Sequence, residues 1–178
     1  MKKHGPFFIL VLMFVSFLML SCEKEMTEKE SSLQPAGNFS TNELKAGESK
    51  YNLEVVLKGE GARNGHIQFR QNPDLAKVIT LDVRVHHLLP NHEYLLQRAV
   101  DPTNVVDGNC TSTSWLTLGY GLTSQTILTN DKGNGSEVLW RDITAIPSGA
   151  MFDIHFRVVD AVSLEVVLTS NCYQYTVR

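Results

Sequence analysis

Val78-Ile79-Thr80-Leu81-Asp82-Val83-Arg84-Val85-His86 is the stretch that decides the fold. Ile79, Leu81, Val83 and Val85 alternate with Thr80, Asp82, Arg84 and His86. Successive side chains of an extended chain point to opposite faces, so this alternation reads as a strand with one face on a core and one in water. Upstream, Tyr51 to Gly59 sets Leu53, Val55 and Leu57 against Glu54 and Lys58, and Gly65 to Gln71 sets Ile67 and Phe69 against His66, Gln68 and Arg70. Downstream, Leu88 to Asn91 is a turn, because Pro90 has no N–H to give to a ladder and Asn91 tolerates turn geometry. Tyr94, Leu96 and Val100 mark the next strand, and Trp115 to Tyr120 and Thr126 to Thr129 are shorter candidates.

Asn130 to Gly135 is the strongest turn signal, and Glu137 to Ile143 follows it. Met151 to Val159 alternates again, with Phe152, Ile154, Phe156 and Val158 on one phase, and Leu164 to Val177 closes the chain. Turn residues recur about every ten positions, which gives about nine strands over residues 51–178. None of these segments sustains a 3.6-residue apolar period. The expected fold is all-β, an antiparallel two-sheet β-sandwich. Within it, the segment from Leu81 to Tyr94, ending Leu88-Leu89-Pro90-Asn91-His92-Glu93-Tyr94, resembles the strand–LxPxxxY–strand passage of immunoglobulin-like and fibronectin-like sandwiches. That resemblance implies a fold and carries no function.

Composition sets the outer limits. With 43% hydrophobic and 20% charged residues, the 178-residue chain is neither collagen-like, coiled-coil nor wholly disordered, and it has room for one domain. Its formal charge of −3 leaves no basic excess for phosphates, so no nucleic-acid partner is expected.

The N-terminus reads as a targeting segment. Met1-Lys2-Lys3 is basic, and Pro6 to Leu20 is apolar apart from Ser16. About 15 helical residues span roughly 22 Å, too short for a hydrocarbon core of roughly 30 Å. Leu18-Met19-Leu20-Ser21-Cys22 resembles a bacterial lipoprotein signal, with Met19 where leucine is usual. The resemblance implies removal of residues 1–21, acylation of Cys22 and firm attachment to a membrane by two or three chains. Residues 22–50 then form a tether, rich in charge, Ser, Thr and Gly and poor in large apolar residues. Glu23, Glu25, Glu28 and Glu30 resemble the acidic export tags of Bacteroidota-type surface lipoproteins, and they read equally as a solvated spacer.

Cys110 and Cys172 remain as an even pair in an exported domain and are expected to form a disulfide. Closing a loop of about 63 residues contributes about 4 kcal/mol in the chain-entropy picture. The bond is expected to pin the polar loop from Asp101 to Thr113 against the end of the sandwich.

Candidate chemistry is sparse. Metal sites on strands favour His-x-His, whereas His86 and His87 are adjacent and point to opposite faces. His92 lies across the Pro90 turn, so His86, His87 and His92 are the weak candidates for a metal. Asp153, His155 and Arg157 share one phase and read most simply as a solvated strand face, since no Ser or Cys nucleophile is identifiable beside them. The Asp131 turn fails the EF-hand pattern and reads as a glycine-rich hairpin turn. Trp115, Tyr120 and Trp140 are candidates for a sugar-stacking surface, and alternation does not decide Trp140.

The expectation is therefore a lipoprotein of the cell envelope, anchored at the outer membrane and exposed at the surface. It would act as a non-catalytic binding, adhesion or accessory module without a cofactor, with an envelope protein or a glycan as partner. The alternative is a small metal-dependent enzyme with a loop-built histidine site.

Overall fold

The structure is a computed structural model that describes residues 51–73, 77–103 and 105–178. The expected signal segment 1–21, the expected acylation site Cys22 and the expected tether to residue 50 lie outside the described residues.

The described chain is all-β. Its strands are β1 (Asn52–Lys58), β2 (Asn64–Gln71), β3 (Val78–His86), β4 (Glu93–Val100), β5 (Leu116–Thr117), β6 (Gly119–Tyr120), β7 (Thr123–Ser124), β8 (Thr126–Leu128), β9 (Gly135–Asp142), β10 (Met151–Asp160), β11 (Val166–Ser170) and β12 (Tyr173–Thr176). The alternation assigns the inner faces of the long strands as expected. Val55, Leu57, Ile67, Val83, Val85, Leu96 and Val158 are fully buried. Burying a large apolar side chain stabilises by about 1.5–3 kcal/mol, so this inner layer carries the fold.

Connectivity differs from the expected pair of separate antiparallel sheets. All twelve strands belong to one mixed sheet that curls nearly into a barrel. Two broad antiparallel ladders, β1–β2–β3–β9 and β8–β4–β10, make up most of it. They are joined at two thin seams. One is the two-residue pairing of β1 with β11, Leu57↔Ser170 and Lys58↔Thr169. The other is the single bridge Thr129↔Gly135 between the ends of β8 and β9. Phe69 of β2 meets Phe156 of β10 at 6.2 Å and Tyr175 of β12 at 4.8 Å, so the two ladders share one core. The sheet is mixed because β6 runs parallel to β9, with Tyr120 opposite Trp140.

The twelve strands exceed the expected nine because two segments break and because β7, Thr123–Ser124, forms between two of the expected segments. Trp115 to Tyr120 divides at Leu118, which is buried and donates its N–H to the Leu96 carbonyl at 2.8 Å. Leu164 to Val177 divides around Asn171 and Cys172, letting β11 pair with one half of β10 and β12 with the other.

Two turns behave as their residues dictate. At the Pro90 corner, Leu89 N–H donates to the Tyr94 hydroxyl at 3.0 Å, and Tyr94 is 1% exposed. In the Asn130 turn, the Asn130 side-chain oxygen accepts from the amides of Lys132 and Asn134 at 2.9 and 3.1 Å. Gly133 has φ 73° there, and a Cβ would sit 2.1 Å from the Leu88 carbonyl oxygen. Only glycine satisfies both demands.

The outer face of β10 is a correction. Asp153, His155 and Arg157 were expected in solvent, yet Asp153 is fully buried and the other two are half-buried. The polar loop after β4 lies across them. Asp101 N–H donates to the Asp153 carbonyl at 3.0 Å, and the Asp107 and Gly108 amides donate to Asp153 Oδ2 at 3.0 and 2.8 Å. Further along, the Thr111 and Ser112 amides donate to the Asp101 carboxylate at 2.9 and 2.6 Å. The Thr111 amide, then the Ser112 amide, hold the Asp101 carboxyl below its ordinary range against the opposing effect of burial. Cys110 and Cys172 stand at disulfide distance, 2.10 Å between sulfurs and 5.3 Å between Cα atoms. The pair pins this loop over β10 rather than at the end of the sheet.

Candidate functional site

The three candidate histidines are not brought together. His86 Nδ1 lies 3.2 Å from Asn134 Oδ1 in the β8–β9 turn. His87 is exposed with φ 59°. His92 Nε2 hydrogen-bonds the Asp160 carboxylate. No group of three His, Cys, Asp or Glu residues is arranged to hold a metal among the described residues. Asp160 is held down to about 2, first by the Ser163 amide, then by the Val162 amide and His92. Both amides donate at 2.8 Å to Asp160 Oδ1, so the carboxylate caps the turn from β10 to β11.

The three candidate aromatics separate into two environments. Trp115 is half-buried on the covered face of β10. Its ring lies 4.6 Å from that of His155, and the Arg157 guanidinium sits 4.1 Å over it. His155 Nε2 donates to the Ser112 carbonyl at 3.0 Å, and Arg157 Nε donates to Gln97 Oε1 at 2.7 Å. His155 thus fastens the loop, and Arg157 ties β10 to β4.

Trp140 and Tyr120 face the other way. Each is 42% exposed, and they stand side by side on the parallel pair β6–β9. The backbone of Gly121 lies against the Trp140 ring, where a Cβ would come within 2.8 Å of it. Gly121 N–H donates to the Trp140 carbonyl at 2.9 Å, so the ring is braced from one side and open on the other. The Tyr120 hydroxyl donates to Glu137 Oε1 at 2.6 Å, which raises its pKa. Tyr120, but not Trp140, also lines an open groove with Asp82, Arg84, His86, Asn134, Glu137 and Val138. Arg84 is paired with Asp82 at 3.1 Å, so the groove wall presents a fixed donor and acceptor side by side.

A second concavity lies inside the sheet and was missed from the sequence. A cavity of about 340 Å³ is walled by Phe69, Leu81, Phe152, Phe156 and Tyr175 and also receives Arg98 and Arg141. Arg98 sits at period two after Tyr94 and Leu96 on β4, the phase that points to the core. That misplaced charge was the available signal. Burial, then the charge of Arg141, lower the Arg98 pKa. Arg141 donates to the Gly121 carbonyl at 2.9 Å. Among the described residues neither arginine forms an ion pair, and Arg98 makes no side-chain hydrogen bond.

No family model, curated protein or solved structure matches the chain.

Proposed function

We propose that the chain is an envelope lipoprotein, acylated at Cys22 and held at the outer membrane, whose β domain is a non-catalytic module that binds a glycan through Tyr120 and Trp140. The observation that carries this reading is the exposed, braced indole of Trp140 paired across the strands with Tyr120, which in turn lines a groove of hydrogen-bonding groups. An aromatic face held rigid and open stacks on the C–H surface of a sugar ring at little entropic cost. Asp82, Arg84, Asn134 and Glu137 are placed to meet hydroxyls. The Tyr94 hydroxyl bond at the Pro90 corner and the two ladders around one core support an immunoglobulin-like scaffold. Ser21-Cys22 and the acidic stretch that follows support anchoring and surface exposure.

The full chain, screened against immobilised envelope and host polysaccharides, is expected to retain a subset of them. Trp140→Ala is expected to lose binding at least about tenfold, equivalent to about 1.4 kcal/mol. Retention of no glycan, or equal retention by the variant, overturns the reading. Anchoring is tested separately by fatty-acid labelling, which Cys22→Ala should abolish.

A further inference from the structure

Arg98 is the one long charged side chain that β4 directs to the core phase, between Leu96 and Val100. Removing a guanidinium from water is costly unless an anion or a set of acceptors replaces the lost hydration. Neither is present: Arg98 has no carboxylate partner and no hydrogen bond among the described residues, and its nearest charge effect comes from another cation, Arg141. Two aspartates reach the same cavity but are already engaged. Asp101 is held by the Thr111 and Ser112 amides, and Asp142 by the Thr144 amide at 2.7 Å and the Thr144 hydroxyl.

The cavity thus combines an aromatic wall with two guanidinium groups that form no ion pair among the described residues; the Asp142 carboxyl feels the charge of Arg141, but its oxygen is taken up by Thr144. We infer that it binds a small carboxylate-headed apolar molecule, its chain among Phe69, Phe152 and Phe156 and its head between Arg98 and Arg141. A guanidinium matches a carboxylate in a planar, two-bond geometry that a neutral head group cannot supply. At about 340 Å³ the cavity lies at the small end of ligand pockets, which run roughly 300–1,000 Å³. It therefore suits one chain of medium length rather than a two-chain lipid. This site is separate from the Trp140 face.

The test titrates the purified full chain with octanoate carrying ¹³C in its carboxyl group, with 1-octanol as the uncharged analogue. The carboxyl resonance is expected to shift saturably with one site per chain, and octanoate to bind at least about tenfold more tightly than octanol. Arg98→Met removes the charge and keeps the bulk. It is expected to erase that preference while leaving the melting temperature unchanged or higher, since a half-buried cation without an ion-pair partner has been removed. Should that variant fail to fold, Arg141→Met is expected to weaken octanoate in the same direction. Trp140→Ala is expected to leave octanoate binding intact, which separates this site from the glycan face. Absence of saturable binding, octanol binding as well as octanoate, or an undiminished preference in both arginine variants would overturn the inference.

Discussion

Trp115 and Trp140 both lie on outer surfaces of the same curled sheet, and they are used in opposite ways. Trp115 rests on β10 beside the Asp101–Thr113 loop, in contact with His155, which bonds the loop, and Arg157, which bonds Gln97 of β4. Trp140 on β9 is braced from one side by Gly121 and is otherwise exposed, and its strand partner Tyr120 lines an open polar groove. One indole is a fastener and the other is a surface. What separates them is the covering: β10 acquires a loop tied by Cys110–Cys172 and two buried aspartates, and β9 acquires none.

That difference is broken first at the disulfide. Replacing Cys110 and Cys172 together by serine is expected to lower unfolding stability by about 4 kcal/mol. It should also expose Trp115, read as a red shift of its fluorescence in a Trp140→Phe background. Asp153→Ala comes next, at about 2–3 kcal/mol, because the Asp107 and Gly108 amides lose their buried acceptor. On β3, whose outer face is open, Asp82→Ala is expected to cost no more than about 0.5 kcal/mol. Denaturant midpoints of the two variants give the contrast directly.

The alternation of β3 was legible because only one of its faces is covered by the fold, and hydrophobic burial alone decides such a strand. The inner residues of β10 were legible for the same reason. Its outer residues were not. Asp153, His155 and Arg157 look like a solvated face because the loop that covers them is itself polar and joins them through backbone amides, which leave no mark on the sequence pattern. The cysteine pair was the sole sequence signal that the Asp101–Thr113 loop is tied down. The curl of two ladders into one network was hidden because its seams are the Thr129↔Gly135 bridge and two residues of β11. Of the candidate site, Tyr120 and Trp140 were found by residue type and Arg98 was not. Its signal, a charge at an inward position after Tyr94 and Leu96, becomes meaningful only once β4 is known to line a cavity.

A smaller effect sharpens the comparison at the end of β10. Asp160 has its folded pKa depressed to about 2 by the Ser163 and Val162 amides and by His92. A depressed carboxylate contributes stability that is fully present above its unfolded value of about 4. That contribution is lost as pH falls through about 2. Wild type is thus expected to lose stability between about pH 4 and pH 2, and Asp160→Asn to show a shallower loss over that interval in acid melts. The same substitution should leave the groove beside Tyr120 unaffected.

Pairing Trp115→Ala with Trp140→Ala in one experiment on the full chain, with melting temperature and glycan retention read together, tests the functional claim most directly. Trp115→Ala is expected to cost about 2 kcal/mol of stability while folded protein still binds glycan. Trp140→Ala is expected to melt within about 1 kcal/mol of wild type and to lose glycan at least about tenfold. A Trp140→Ala protein that binds as wild type does, or that unfolds as readily as the Trp115 variant, would contradict the assignment of Trp140 as the binding surface.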